Sequence, residues 1–326
     1  MKKTFNYSLM VLLIITVISC KKKTDNPDDQ RPADNYTSMA NFHAVNASRL
    51  LTYDIDGANG GTFTTPNGTI VIIPANAFVT QGGTPVVGNI SIQFKDIYKQ
   101  SEMLLNDIST NFLYGGPIKS AGMFFIKATK GSQTLDLATG SKITVKQPLN
   151  GLPIDTAMVP LILQLNVPTG GPLANGWAPQ IIDSLNWAQD SLYWYPGNYI
   201  FSLYQFSSPI DSGTWCNSDN PNFFSAYPQT HLILIPNDSI SDYYTEMYLL
   251  FSNVNSMVHV YHYNNKFNYF YAPVGLQCTA VAVGVKDGKL YSSFTPLSIT
   301  SNLSVNFSLA ETTTADFKAQ LDALNQ

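Results

Sequence analysis

Residues 60–78, Gly-Gly-Thr-Phe-Thr-Thr-Pro-Asn-Gly-Thr-Ile-Val-Ile-Ile-Pro-Ala-Asn-Ala-Phe, restrict this chain more than any other stretch. The β-prone residues 62–65 lead into Pro66-Asn67-Gly68, a turn with a residue that tolerates positive φ. The β-branched run 69–73 follows, and Pro74 stops it. Side chains alternate along a strand, so Ile70 and Ile72 face one way while Val71 and Ile73 face the other. Apolar groups on both faces place this strand inside a sandwich and make Ile72 an expected core residue.

The pattern continues on either side. Residues 42–45 and 50–53 are short candidate strands expected to pair with this stretch. Residues 75–78 suit a helical turn, and residues 101–105 suit a short helix or a loop. Strand-like runs resume at 86–98, 123–128, 134–137 and 143–146, with Gly131 and Gly140 as turns. A glycine-rich strand, a turn and Ile-Pro-x-x-Ala, with the later segments Val87-Gly88-Asn89-Ile90-Ser91-Ile92, Ser120-Ala121-Gly122-Met123 and Ile143-Thr144-Val145, resemble the β-sandwich domain of zonula occludens proteins, netrin receptors and ankyrins, which bacterial envelope lipoproteins also carry. That resemblance covers residues 60–148. It implies partner binding and scaffolding and no active site.

Beyond Pro148, strand-like runs at 159–167, 193–204, 231–235, 247–253, 257–263, 267–271, 278–285 and 303–309 alternate with turn signals such as Asn264-Asn265 and Asp287-Gly288. Residues 181–190 read equally as helix or strand. Thr314 suits a helix cap, with Phe317, Leu321 and Leu324 recurring on one helical face. The expected fold class is all-β: two β-sandwich domains in tandem, at 40–150 and 151–310, with a short C-terminal amphipathic helix at 311–326. The second half is similar to the carboxyl halves of uncharacterised envelope lipoproteins.

The N-terminus carries an address. Lys2 and Lys3 precede an apolar run at 9–18, too short to cross a bilayer, and Val17-Ile18-Ser19-Cys20 follows. This resembles a bacterial lipobox, which implies a signal peptide at 1–19, a diacylglyceryl group on the Cys20 thiol and a membrane partner through that anchor. Residues 20–39, rich in lysine, aspartate and proline, read as a tether. Lys21 is not the aspartate of inner-membrane retention, so the expected place is the outer membrane, on its periplasmic face or at the cell surface.

Chemistry is sparse. G-x-S-x-G, G-x-x-x-x-G-K-[ST], H-E-x-x-H and C-x-x-C do not occur, so no catalytic residue, cofactor or metal set is read from the chain. His259 and His262, three apart in a strand, point to opposite faces. Asp54-Ile55-Asp56-Gly57 reads as a solvated turn, because the full calcium-loop pattern is missing. The net charge of −4, which becomes more negative once Lys2 and Lys3 leave with the leader, excludes a nucleic-acid partner.

The remaining candidates are aromatic. Tyr193, Trp194 and Tyr195, and Tyr261, Tyr263, Phe267, Tyr269 and Tyr271, form either a glycan-stacking platform or a cross-strand ladder. The ladder is the preferred reading, and Tyr269 in particular is expected to be buried. Phe267, Tyr269 and Tyr271 are expected to share one face. Cys216, in a turn-rich stretch, and Cys278 are a candidate disulfide, with free buried thiols as the alternative. The functional expectation is a lipid-anchored, non-catalytic binding or scaffolding protein with an unknown protein or glycan partner. A glycan-binding module and an enzyme of unrecognised type are the alternatives.

Overall fold

The computed structural model describes residues 34–113, 115–167, 174–178, 191–195, 197–203, 206, 213–237 and 245–325. Cys20, the lipobox and the tether up to residue 33 lie outside the described residues, as does the segment 181–190. In chain order the described elements are α1 (Met39–Asn46), β1 (Leu51–Asp56), β2 (Gly61–Thr64), β3 (Ile70–Ile73), β4 (Phe78–Val79), β5 (Asn89–Ile97), α2 (Gln100–Leu105), β6 (Lys119–Lys130), β7 (Gln133–Thr134), β8 (Asp136–Leu137) and β9 (Ile143–Pro148). Then come β10 (Val159–Val167), β11 (Ala174–Ala178), β12 (Ser191–Tyr195), β13 (Asn198–Leu203), β14 (Thr214–Asn220), β15 (Gln229–Pro236), β16 (Thr245–Phe251), β17 (Met257–Tyr263) and β18 (Lys266–Pro273). The chain closes with β19 (Gln277–Lys286), β20 (Lys289–Ser298), β21 (Ser304–Phe307), β22 (Ala310–Thr312) and α3 (Thr314–Asp322). The fold is all-β with a short C-terminal helix.

One sheet runs β1-β5-β6-β14-β10-β11 and faces a second that runs β12-β13-β9-β3-β2. Between them Val71, Ile92, Phe94, Phe124, Val145 and Phe201 form the first core. Phe94 stacks on Phe124 at 5.5 Å, and Phe124 meets Phe201 edge-on at 5.2 Å. The β2–β3 hairpin forms as its sequence predicts, closed by the Thr65 N–H to Thr69 carbonyl bond with Gly68 at φ +88. Two expectations change here. β3 is one-sided, with Val71 and Ile73 buried and Ile70 and Ile72 half-buried, because one of its faces lies outside the sandwich. β1 pairs with β5 across the sandwich from β3.

The second sandwich is a single sheet, β21-β15-β18-β17-β16-β19-β20-β22, folded over along β17. The first half of β17 pairs with β16 and its second half with β18. Leu232, Met247, Leu249, Val258, Phe267 and Tyr269 fill the fold.

A third core joins the two sandwiches. The outer face of the first sheet, with Ile97, Met123, Leu161 and Trp177, meets the outer face of β16, β17 and β19, with Tyr248, Leu250, Met257 and Val283. Three helices seal it. Residues 42–45, expected as a strand, lie inside α1, because Met39, Phe42, His43 and Asn46 recur on one helical face and the Ser38 hydroxyl accepts the Asn41 N–H. Residues 75–78, expected as a helical turn, make a tight turn at Ala75-Asn76 and then enter β4. In α3 the cap is Thr313, one residue before the expected Thr314, and Phe317 and Leu321 are fully buried.

Strand pairing also moves the expected boundary at 150/151. β13 pairs with β9, β14 with β6, and β10 with β14, so strands β10 to β14 complete the first sandwich. The chain crosses to the second sandwich around the 3-10 turn Phe223–Ala226. Asp34–Gln326 forms one compact unit.

Candidate functional site

The hairpin β17–β18 turns through Asn264 and Asn265, both at positive φ (51° and 58°), the backbone that a two-residue turn between twisted strands requires. In register, Tyr261 faces Asn268 and Tyr263 faces Lys266, so these four side chains share the outer face. Tyr261 is 55% exposed, Tyr263 69% and Phe270 62%. Phe267 and Tyr269 point inward, and Tyr269 is buried as expected.

Tyr271 does not share their face. The pairing of β15 with β18 slips between Thr230 and Leu232, which oppose Ala272 and Tyr269, so one residue on β15 faces two on β18. This bulge turns Phe270 and Tyr271 both outward. The Tyr271 ring then lies against Gly115, where a Cβ would sit 2.9 Å from it.

The outer strip is held in place by polar groups. His231 stacks on Phe270 at 4.3 Å with 12° between the rings, and its Nε2 lies 3.0 Å from Asn268 Oδ1. The Asn268 amide donates to the Tyr263 and Lys266 carbonyls. Aromatic faces, an amide and a histidine thus lie side by side on one β-surface.

The other aromatic candidates are elsewhere. Tyr193 and Trp194 are exposed on β12, at the end of the second sheet of the first sandwich, and do not join the hairpin strip. Tyr195 is described through its backbone alone, as the β12 partner of Asn198. Cys216 and Cys278 are both buried, and neither is in a disulfide. Cys216 lies in β14 within the first core and Cys278 in β19 within the core of the folded sheet, so the candidate disulfide does not form. Burial pushes the Cys278 thiol up to about 12. Asp56 Oδ1 accepts from the Ala58 and Asn59 N–H groups, which makes residues 54–57 a turn held by its own carboxylate.

A second constellation escaped the sequence reading. Glu246 and Tyr248 lie on the outer face of β16, with His259 opposite Tyr248 on β17. α1 brings His43 to them, and the turn after α2 brings Asp107, at φ +50. His43 Nε2 lies 2.6 Å from Glu246 Oε2, and Nδ1 lies 3.4 Å from the Leu105 carbonyl. The Tyr248 hydroxyl reaches Glu246 Oε2 at 2.7 Å and Asp107 Oδ1 at 3.1 Å.

Burial lowers the His43 imidazole, but the Glu246 hydrogen bond and charge, Asp107 and the Leu105 carbonyl outweigh it and hold His43 above its ordinary value. Burial raises Glu246, yet His43 and the Tyr248 hydroxyl bring it below the usual carboxylate range. His259 is lowered by burial, against the pull of Glu246 and Asp107. The single legible signal was Glu246, one of three glutamates, in the mostly apolar strand β16. His43 was hidden by reading α1 as a strand.

A cavity of about 400 Å³ lies between the sandwiches, lined by Asn67, Gln100, Asn253, Asn255 and Asn325 among others. Its amides are largely spent on the fold. Gln100 donates to the Phe251, Val254 and Ser256 carbonyls, and Asn255 to those of Tyr98 and Ser120. The chain matches no protein-family model and no curated protein.

Proposed function

We propose that this chain is a lipid-anchored, non-catalytic binding protein of the bacterial outer membrane or cell surface that engages glycan through the outer face of β17–β18. The observation that carries this reading is the exposure of Tyr261, Tyr263 and Phe270 on one strip beside Asn268 and His231. Exposed aromatic faces stack on the apolar faces of sugar rings, while the tyrosine hydroxyls exchange hydrogen bonds with sugar hydroxyls. A ladder built only to stabilise the sheet would turn these rings inward, as Phe267 and Tyr269 are turned. The lipobox-like Val17-Ile18-Ser19-Cys20 supports the anchor, and the resemblance of residues 60–148 to scaffolding sandwiches supports a binding role.

Two measurements test the reading. Mass spectrometry of the mature N-terminus is expected to find a diacylated Cys20, and an unmodified thiol or cleavage elsewhere would remove the anchor from it. On an oligosaccharide array, Tyr261→Ala with Tyr263→Ala is expected to abolish binding while the unfolding free energy stays within about 0.5 kcal/mol of the parent. A silent array for the parent, or binding unchanged in the double variant, would overturn the glycan assignment.

A further inference from the structure

We propose that His43, Asp107 and Glu246 form a binding site for one divalent transition-metal ion, with zinc the best chemical match. One ligand atom from each lies within 4.8 Å of the other two. An imidazole and two carboxylates converging from three separate elements are the donor set that zinc takes with a fourth position left to water. Calcium, which requires six to eight oxygens, fits neither the imidazole nor the count.

The alternative is a plain ion pair between His43 and Glu246, and three features count against its sufficiency. An ion pair needs one carboxylate, whereas here a second, Asp107, also stands within 4.8 Å of the His43 nitrogen, and the Tyr248 hydroxyl bonds both carboxylates. With His43 protonated the three groups carry a net negative charge, while a dication on a neutral His43 leaves none, which matters because His43 is buried and Glu246 half-buried. The far side of the ring also suits a ligand: Nδ1 faces the Leu105 carbonyl and can keep its N–H there when an ion displaces the Nε2 proton that Glu246 now accepts, the arrangement that backbone carbonyls impose on metal-bound histidines.

The site also has a way in. Asp107 is exposed while His43 is buried, so an ion enters past the aspartate and loses its water against the histidine. Tyr248 is a positioning residue, since its single hydroxyl proton is shared between the facing oxygens of Glu246 and Asp107.

The experiment uses the full chain in detergent, stripped with a chelator and carrying no histidine tag. Zinc titrated calorimetrically is expected to bind one equivalent with micromolar affinity or tighter, cobalt(II) to give a tetrahedral visible spectrum, and the ring nitrogens of His43 to shift in a histidine-detected NMR spectrum. Asp107→Asn, at an exposed position where folding is safe, should weaken zinc about tenfold or more. Tyr248→Phe should weaken it by about tenfold as an outer-shell change. Failure of zinc to bind at millimolar concentration overturns the proposal. So does binding that Asp107→Asn leaves unchanged, or a His43 signal that stays put while another histidine shifts. Because the NMR readout uses the parent chain, it decides the matter even where a variant folds poorly. Glycan binding on the array is a separate measurement, so either assignment can fail without the other.

Discussion

Tyr269 offers the sharpest test of which way the β18 aromatics point. It is 4% exposed, in the core of the folded sheet, and its ring meets that of Tyr271 edge-on at 6.3 Å. Its hydroxyl finds no hydrogen-bond partner among the described residues. Burial, with the nearby Tyr271 and Tyr261, pushes the phenol well above its ordinary value, so it stays neutral. Tyr269→Ala removes a large buried ring and should cost about 3–5 kcal/mol. Tyr269→Phe keeps the ring and removes only a hydroxyl desolvated without a partner, which costs the parent about 1–3 kcal/mol. The phenylalanine variant should therefore be more stable than the parent by about 1 kcal/mol, a rise of roughly 2–4 °C in Tm for a unit of this size. Tyr261→Phe, on the exposed strip, should move stability by less than about 0.5 kcal/mol. Urea melts with an unchanged slope, beside thermal melts, measure all three. If Tyr269→Phe proved destabilising by about 1 kcal/mol, the hydroxyl would be satisfied in the folded protein and the reasoning refuted.

Val71→Asp should unfold the first sandwich, since it places an unpaired charge at a fully buried position, whereas Ile72→Asp, half-buried on the other face of β3, should leave a cooperative melt. Equal melts for the two would show that the inner face of β3 is misassigned. Asp155 gives a pH test: burial raises its carboxyl, but Lys119 Nζ at 2.9 Å, the Asn220 amide and the Ala157 N–H bring it below the usual range. A depressed value contributes stability that is complete above the unfolded value of about 4 and lost as pH falls through the folded one. Asp155→Asn should therefore flatten the acid limb of a plot of Tm against pH, and an unchanged limb would assign that limb to other carboxylates.

Local signals carried much of the fold and little of its assembly. The Asn264-Asn265 hairpin, β3 with its proline stop and the i, i+4 pair Phe317 and Leu321 of α3 were legible, because each is decided within a few residues. β14 was not. Thr-Trp-Cys-Asn-Ser-Asp-Asn reads as a turn, yet it is an inner strand of its sheet with Asn217, Ser218 and Asp219 fully buried. What permits this for Asn217 and Ser218 is distant in sequence: Ser120 donates to Asn217, and Ser218 donates to Gln147 of the opposite sheet. The same distance hid the boundary, since no local composition shows that β13 and β14 return to the first sandwich. The outward turn of Tyr271 depends on a bulge set by register with β15, which alternation along one strand does not contain.

The polar cluster and the packing of the two sandwiches are one structural event, because α1 serves both. Phe42 sits fully buried in the joining core, edge-on to Phe317 of α3 at 5.8 Å, and the next residue, His43, reaches Glu246 of β16. The helix is held from both ends of the described chain. The Asn46 amide donates to the Tyr36 hydroxyl, the Tyr36 hydroxyl meets Thr314 Oγ1 of α3, and the Asp34 carboxylate accepts the Thr314 N–H. Lifting α1 would therefore expose Phe42 and strip Glu246 of its cation in the same motion. Either loss is costly in a half-dry site, the first through apolar area and the second through an uncompensated charge. An ion bound by His43, Asp107 and Glu246 would then join α1, the turn after α2 and β16, three elements that meet only when the joining core is closed. Its binding free energy would appear as stability of that junction.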